Sequence, residues 1–303
     1  MEENQKNQII TLIQTEKDRL GSFAAVAKKC KVSEATISLC RNNKWDNVTD
    51  EMALRIAQEL GYKNDNWVIC KNTRDYVFVN DTLSNAKKKA MFIIISNEAG
   101  EGKTTGIENY CNDNAANGAF YIKSREWSSK VLLTKMMTML GMQEPKGYHT
   151  ADQLIDIVVE SLSERANTKP LICIDEFDKL KPSAKRVLIY LFNALEDRIA
   201  VAVAGTENLQ KEIKAGVRYA KQGYDEIESR FGRSYISLIG SNKTDVQRIS
   251  QANGIKDAHI LAMIWEEVGK KYKKRPNGKN ELVCDDLRRL KRVIQREKLR
   301  ASA

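Results

Sequence analysis

The chain has 303 residues, 42% of them hydrophobic and 30% charged, an ordinary globular mixture long enough for two or three domains. The formal net charge of +10 favours a polyanionic partner, although charge alone does not separate nucleic acid from an acidic membrane. No apolar run reaches the length of a membrane span and the first residues are polar, which excludes a signal peptide and points to the cytosol with no membrane partner. The six cysteines are scattered without a C-x2-C pair, and there are only two histidines. Free buried thiols are therefore expected rather than a disulfide framework or a zinc site.

Residues 1–65 are helical in pattern. Within them, Val26, Ala27 and Cys30 fall on one face of a first helix, and Ile37 and Cys40 on one face of a second. Ser33 is a good N-cap for the second helix. This pattern resembles the helix-turn-helix of the phage repressor and Cro-like family, with Lys31 where a turn glycine is common. The resemblance implies that the second helix enters the major groove and that Glu34, Thr36, Ser38 and Arg41 are exposed to DNA. The acidic Glu34 and Asp46 argue for weak or nonspecific contact. Residues 66–85, mixing Trp67, Tyr76, Phe78 and Val79 with Asn and Asp, read as a connector.

From 86 to 240, apolar strand-like runs alternate with longer helical patterns, the signature of a parallel α/β sheet. Strands are predicted at 91–96, 119–123, 171–175, 199–204 and 234–239. The first runs into Asn97-Glu98-Ala99-Gly100-Glu101-Gly102-Lys103-Thr104-Thr105, a phosphate-binding loop that opens a helix. Gly100 and Gly102 let the backbone approach phosphate oxygens, Lys103 can reach the β- and γ-phosphates of ATP, and the Thr104 hydroxyl suits a Mg²⁺ ligand. Asn97 stands where the usual spacing has glycine; it is the side chain that best tolerates positive φ. The strand at 171–175 ends in Asp175 and Glu176, which would hold the metal's water shell and polarise an attacking water, respectively.

Three further stretches resemble motifs of the AAA+ ATPases. Gly205-Thr206-Glu207-Asn208 follows a strand, as the sensor-1 residue does, with Thr206 the better positional match and Asn208 second. Ser229-Arg230-Phe231 resembles the arginine-finger motif, with Arg233 as fallback. Residues 241–303 read as a basic helical lid, on which Arg288 fits the sensor-2 position and Arg289 lies close behind. The expected architecture is α/β: an AAA+ P-loop core with a parallel sheet over 86–240, an all-α domain before it and a helical lid after it.

The order of these parts resembles the Mu B-type transposition ATPases and, more distantly, the TnsC-type regulators. The resemblance implies ATP-dependent assembly of copies of the chain on double-stranded DNA as a filament, with little base specificity, and stimulation of a partner transposase. Lys123, Arg125 and Lys130 are candidates for the DNA-facing lining, with Lys181, Lys185 and Arg186 as alternatives. Two other classes share the core. An ATP-modulated transcription regulator usually carries a large sensor domain, and only about 60 residues follow Gly240, too few for a typical domain. A helicase loader or initiator usually places its DNA-binding helices after the core.

Overall fold

The computed structural model describes residues 3–61, 67–274 and 278–302. Four helices come first: α1 (Glu3–Leu20), α2 (Phe23–Lys29), α3 (Glu34–Arg41) and α4 (Asp50–Glu59). Their starts follow from their caps: Ser22, Ser33 and Thr49 each accept a backbone N–H from the first turn. Lys31 adopts φ +55° in the α2–α3 turn, so this lysine takes the left-handed conformation that glycine usually supplies. Val26, Ala27, Cys30, Ile37 and Cys40 are all buried. The boundary expected at residue 65 lies outside the described residues.

This helical unit is not a separate bead. Ile9 and Ile13 share one core with Phe120, Leu133 and Met136. Gly141 lets the two parts meet: a Cβ there would lie 2.9 Å from that of Ala25, and its φ is +72°. Beneath the contact, the buried Glu16 carboxylate is shared between Arg19 and Lys29, the latter at 2.6 Å.

Next, α5 (Arg74–Lys89) turns the second half of the expected connector into a helix that continues past residue 85. It leads into β1 (Phe92–Ser96), α6 (Lys103–Asp113), β2 (Ala119–Lys123), α7 (Ser129–Met139), α8 (Ala151–Glu164) and β3 (Leu171–Asp175). Then come α9 (Pro182–Leu195), β4 (Ala200–Gly205), α10 (Glu207–Arg218), α11 (Tyr224–Arg230) and β5 (Tyr235–Ile236). The five strands form one parallel sheet in the order β2-β3-β4-β1-β5. Both faces are covered, which is why the strands read as near-continuous apolar runs. Within β1, Ile93 and Ile95 join the core under α5 and α6, while Phe92 and Ile94 join the one under α7–α11. The period-2 alternation thus divides one strand between two cores.

The last part comprises α12 (Lys243–Ala252), α13 (Ala258–Glu267), β6 (Lys270–Lys274), β7 (Asn280–Cys284) and α14 (Leu287–Ser302). Val246, Leu261, Ile264, Leu290 and Ile294 form its core, and Trp67 packs against it. The expectation of an all-helical lid is corrected here: β6 and β7 pair antiparallel, Lys270 opposite Cys284 through Lys274 opposite Asn280. The run Lys-Lys-Tyr-Lys-Lys has no apolar alternation, so it reads as a charge cluster rather than a strand. Arg275, at the end of that run, lies outside the described residues. Arg74 ties the connector to the lid, donating to Asp245 at 2.7 Å, Glu281 at 3.1 Å and the Gly240 carbonyl at 2.6 Å. Among the described residues no helix is long and apolar enough to cross a membrane.

Candidate nucleotide site

The carboxyl ends of β1, β3 and β4 open on one side of the sheet, where ligands of open α/β folds bind. There the lid and connector close a cavity of about 600 Å³, within the range of small-ligand pockets. Its lining combines apolar side chains, among them Trp67, Ile69, Tyr76, Leu238, Ile249 and Leu290, with the phosphate-binding loop, Asp175, Glu176 and Thr206.

The loop has the form that its glycines predict. Gly100 and Gly102 adopt φ +84° and +87°, and Gly102 caps α6. Asn97, in contrast, does not use the left-handed backbone that its choice suggested. It is buried, and its N–H donates weakly to the Gly205 carbonyl at 3.4 Å, tying the loop to β4. Lys103 Nζ donates to the carbonyls of Asn97 at 2.7 Å and Glu98 at 2.5 Å. Burial lowers the Lys103 pKa, while Glu101 and Asp175 pull it the other way.

Asp175 is 2% exposed and fully engaged. Its Oδ2 accepts from the Thr104 hydroxyl at 2.7 Å and from Tyr121 at 3.1 Å, and its Oδ1 from the Glu176 N–H at 2.9 Å. Thr104 and Asp175, 71 residues apart, are therefore brought into direct contact. These are hard oxygen donors, and Mg²⁺ in nucleotide sites takes one or two protein oxygens and completes its shell with phosphate and water. The pair fits that ion. Glu176 sits at φ +55°, just past the strand. Burial raises its pKa, but the Lys179 hydrogen bond at 2.7 Å and the Lys123 charge at 3.5 Å outweigh this and leave it lowered.

Thr206 faces the cavity and donates to Asp178 Oδ2 at 2.6 Å. Asn208 is exposed on the first turn of α10 and does not line the cavity. Gly205 leaves room for this contact: a Cβ there would lie 2.8 Å from Asp178 Oδ1. On the lid, Arg288 lines the cavity, whereas Arg289 turns away to the Glu267 carbonyl. Arg230 lies outside the cavity. Its guanidinium donates to Asn193 at 2.9 and 3.1 Å, pairs with Glu226, and lines a second cleft with Phe92, Phe192 and Glu196. Arg233 is held by Asp225 and Glu228.

Two of the proposed DNA contacts are corrected by burial. Thr36 is 8% exposed and hydrogen-bonds Ser33, closing the α3 cap instead of facing outward. Lys185 has 2% of its side chain exposed and is gripped by both oxygens of Glu212, at 2.5 and 2.6 Å. Glu34, Ser38 and Arg41 are exposed on α3, Arg41 stacking on Phe23. Lys123, Arg125 and Lys181 are exposed, Lys123 pairing with Glu176 of the cavity lining. Lys130 is half-buried against the Tyr148 ring, and Arg186 packs beside Gly223.

Sequence reasoning missed Tyr121, Asp178 and the apolar wall of connector residues. Asp178 was legible in the Asp-Glu-Phe-Asp run; Tyr121 and the wall emerge only from strand order and packing.

Residues 86–213 match the AAA domain family. The match spans less than half of the chain. Its fold is also that of a crystal structure of Cdc6p from Pyrobaculum aerophilum, with a TM-score of 0.50 at 18% identity. The match covers 65% of this chain and 54% of that one, so this chain spans about half the length of that protein. No curated protein matches the chain. An AAA domain is in general a nucleotide-hydrolysing module, and the AAA+ P-loop fold agrees with the architecture expected from the sequence.

Proposed function

We propose that the protein is a DNA-dependent AAA+ ATPase that assembles on double-stranded DNA with little base preference when ATP is bound. In this reading it marks target DNA for transposition and stimulates a partner transposase. The observation that carries the nucleotide part is the Thr104–Asp175 contact beneath a lid that brings Arg288 to the same cavity. Bound with Mg²⁺, ATP supplies a transferable γ-phosphoryl group. Within the chain, Lys103 and the loop amides bind its phosphates, and Thr104 and Asp175 hold the metal. Glu176 polarises water, and Thr206, anchored by Asp178, orients it. Arg230 cannot serve its own cavity from its place beside Asn193, so its finger role is assigned to the site of a neighbouring copy.

The DNA part rests on charge placement. Lys123 pairs with Glu176, and Lys123, Arg125 and Lys181 are all exposed, so a phosphate backbone that engaged Lys123 would compete for one of the two cations that hold the water-polarising carboxylate. The deciding measurement is a salt titration of random-sequence DNA affinity with ATP, with ADP and without nucleotide. A steep salt slope only with ATP, abolished by Lys103→Ala, is expected; equal DNA affinity in all three states would overturn the coupling.

A second reading, an initiator or helicase loader, draws on the fold shared with Cdc6p. Electron microscopy with ATP and random-sequence DNA separates the two: continuous filaments support the first, and discrete particles at one site the second.

A further inference from the structure

Two glutamates, Glu98 and Glu101, stand inside the phosphate-binding loop itself. The Glu101 side chain is 2% exposed, and a carboxylate so placed opposes a polyanionic ligand unless a cation neutralises it. The neutralising cations come from the lid hairpin, about 170 residues away. Lys271 Nζ donates to Glu101 at 2.5 Å and also to Glu98. Lys273 Nζ donates to the other Glu101 oxygen at 2.8 Å and reaches Asn97 Oδ1 at 3.4 Å.

The strand period explains how both lysines reach the loop. Lys271 and Lys273 share one face of β6, while Tyr272 between them points away and is 75% exposed. A second attachment lies alongside: the Leu287 N–H donates to the Gly100 carbonyl at 2.9 Å, and Asp286 packs on Gly100. Burial works against the charge on Lys271, yet its two carboxylate partners outweigh it and hold its pKa raised. Lys103 in turn feels Glu101 and Lys273 with opposite sign.

We propose that Lys271 and Lys273 are positioning residues for the nucleotide: they neutralise and fix the carboxylates of the phosphate-binding loop, and so set its affinity for the triphosphate. The inference rests on the cavity being a nucleotide site. With the clamp in place, Glu98 and Glu101 are balanced and Lys103 gives the loop its net positive charge. Without it, the loop carries two carboxylates against one lysine. ATP carries one more negative charge than ADP, so its binding suffers more.

The test titrates fluorescent ATP and ADP analogues with Mg²⁺ against the full chain. Lys271→Met with Lys273→Met should weaken ATP binding at least about tenfold and ADP binding by about threefold. Adding Glu98→Gln and Glu101→Gln to that chain should restore ATP binding to within about threefold of the original protein. Unchanged ATP affinity in the lysine variant would overturn the proposal. So would an equal loss for both nucleotides that the glutamine pair fails to rescue, which is the mark of a merely structural strap. If the lysine variant does not fold, the glutamine pair alone decides. It should keep or tighten ATP binding, and a loss beyond about tenfold would reject the proposal. Failure of the underlying reading looks different: the original chain, or Lys103→Ala equally well, would show no specific nucleotide affinity to modulate.

Discussion

Lys185 offers a direct contest between charge pattern and tertiary structure. By pattern it belongs to a basic DNA-facing group; in the fold it is a buried cation between α9 and α10. Its ammonium meets both Glu212 oxygens at 2.5 and 2.6 Å and the Asp178 carbonyl at 3.3 Å. Lys185→Ala leaves Glu212 with the Tyr224 hydroxyl, 2.7 Å away, as its remaining partner. Breaking a fully buried pair from one side costs about 3–5 kcal/mol. The Glu212 side chain is 32% exposed, so water recovers part of this, and about 2–3 kcal/mol is expected. For a chain of 303 residues that corresponds to a melting temperature lowered by roughly 3–5 °C. Lys185→Met with Glu212→Gln removes both charges and should recover most of the loss, giving a coupling energy of about 1–3 kcal/mol in a double-mutant cycle. The assay is thermal unfolding of the four proteins, with DNA affinity measured at a temperature where all are folded. DNA affinity should be unchanged throughout. A Lys185→Ala protein that melts normally but binds DNA several-fold more weakly would refute the buried assignment.

Four further outcomes are expected. Lys123→Ala frees Glu176 from a half-exposed ion pair worth under about 1 kcal/mol, so DNA-free hydrolysis should rise by up to about fivefold and stimulation by DNA should shrink; a steady-state ATPase assay with an unchanged basal rate would remove that link. Gly100→Ala places a Cβ 2.3 Å from Asp286 Oδ1 at φ +84°, at a backbone cost of about 1–2 kcal/mol, and ATP affinity by calorimetry should fall about tenfold. Glu16 is buried, which raises its pKa, but Arg19 and Lys29 outweigh this and hold it below the usual value of 4.5. Its stabilising contribution is therefore complete above about pH 4.5 and is lost as pH falls through the lowered folded value. Glu16→Gln should destabilise the protein at neutral pH and flatten this acid limb of the melting curve. Lys29→Met should cost less, because burial and Arg19 already work against that ammonium's charge.

Much of the core could be read from local pattern because its signals are local. A strand buried on both faces needs consecutive apolar residues, and the runs at 119–123 and 171–175 match β2 and β3 residue for residue. Gly100 and Gly102 announce left-handed backbone, and Lys103-Thr104 following them announce a phosphate site. Ser33 and the spacing of Cys30, Ile37 and Cys40 marked two helices and the turn between them.

What the tertiary structure alone decided are matters of pairing between distant segments. Which lysines face solvent depends on what packs beside them: Lys181 and Lys185 are one helical turn apart, yet only the second meets Glu212. Strand β6 lacks an apolar pattern because its lysines pair with Glu98 and Glu101, partners invisible in the local sequence, while β7 packs Leu282 and Cys284 on the lid core. Likewise, a tyrosine on β2 touches Asp175 only because the sheet order places β2 beside β3. Sequence determines which residues can do chemistry with phosphate. Strand order and lid packing decide which of them meet, since a charge acquires its role from the group that desolvates or neutralises it.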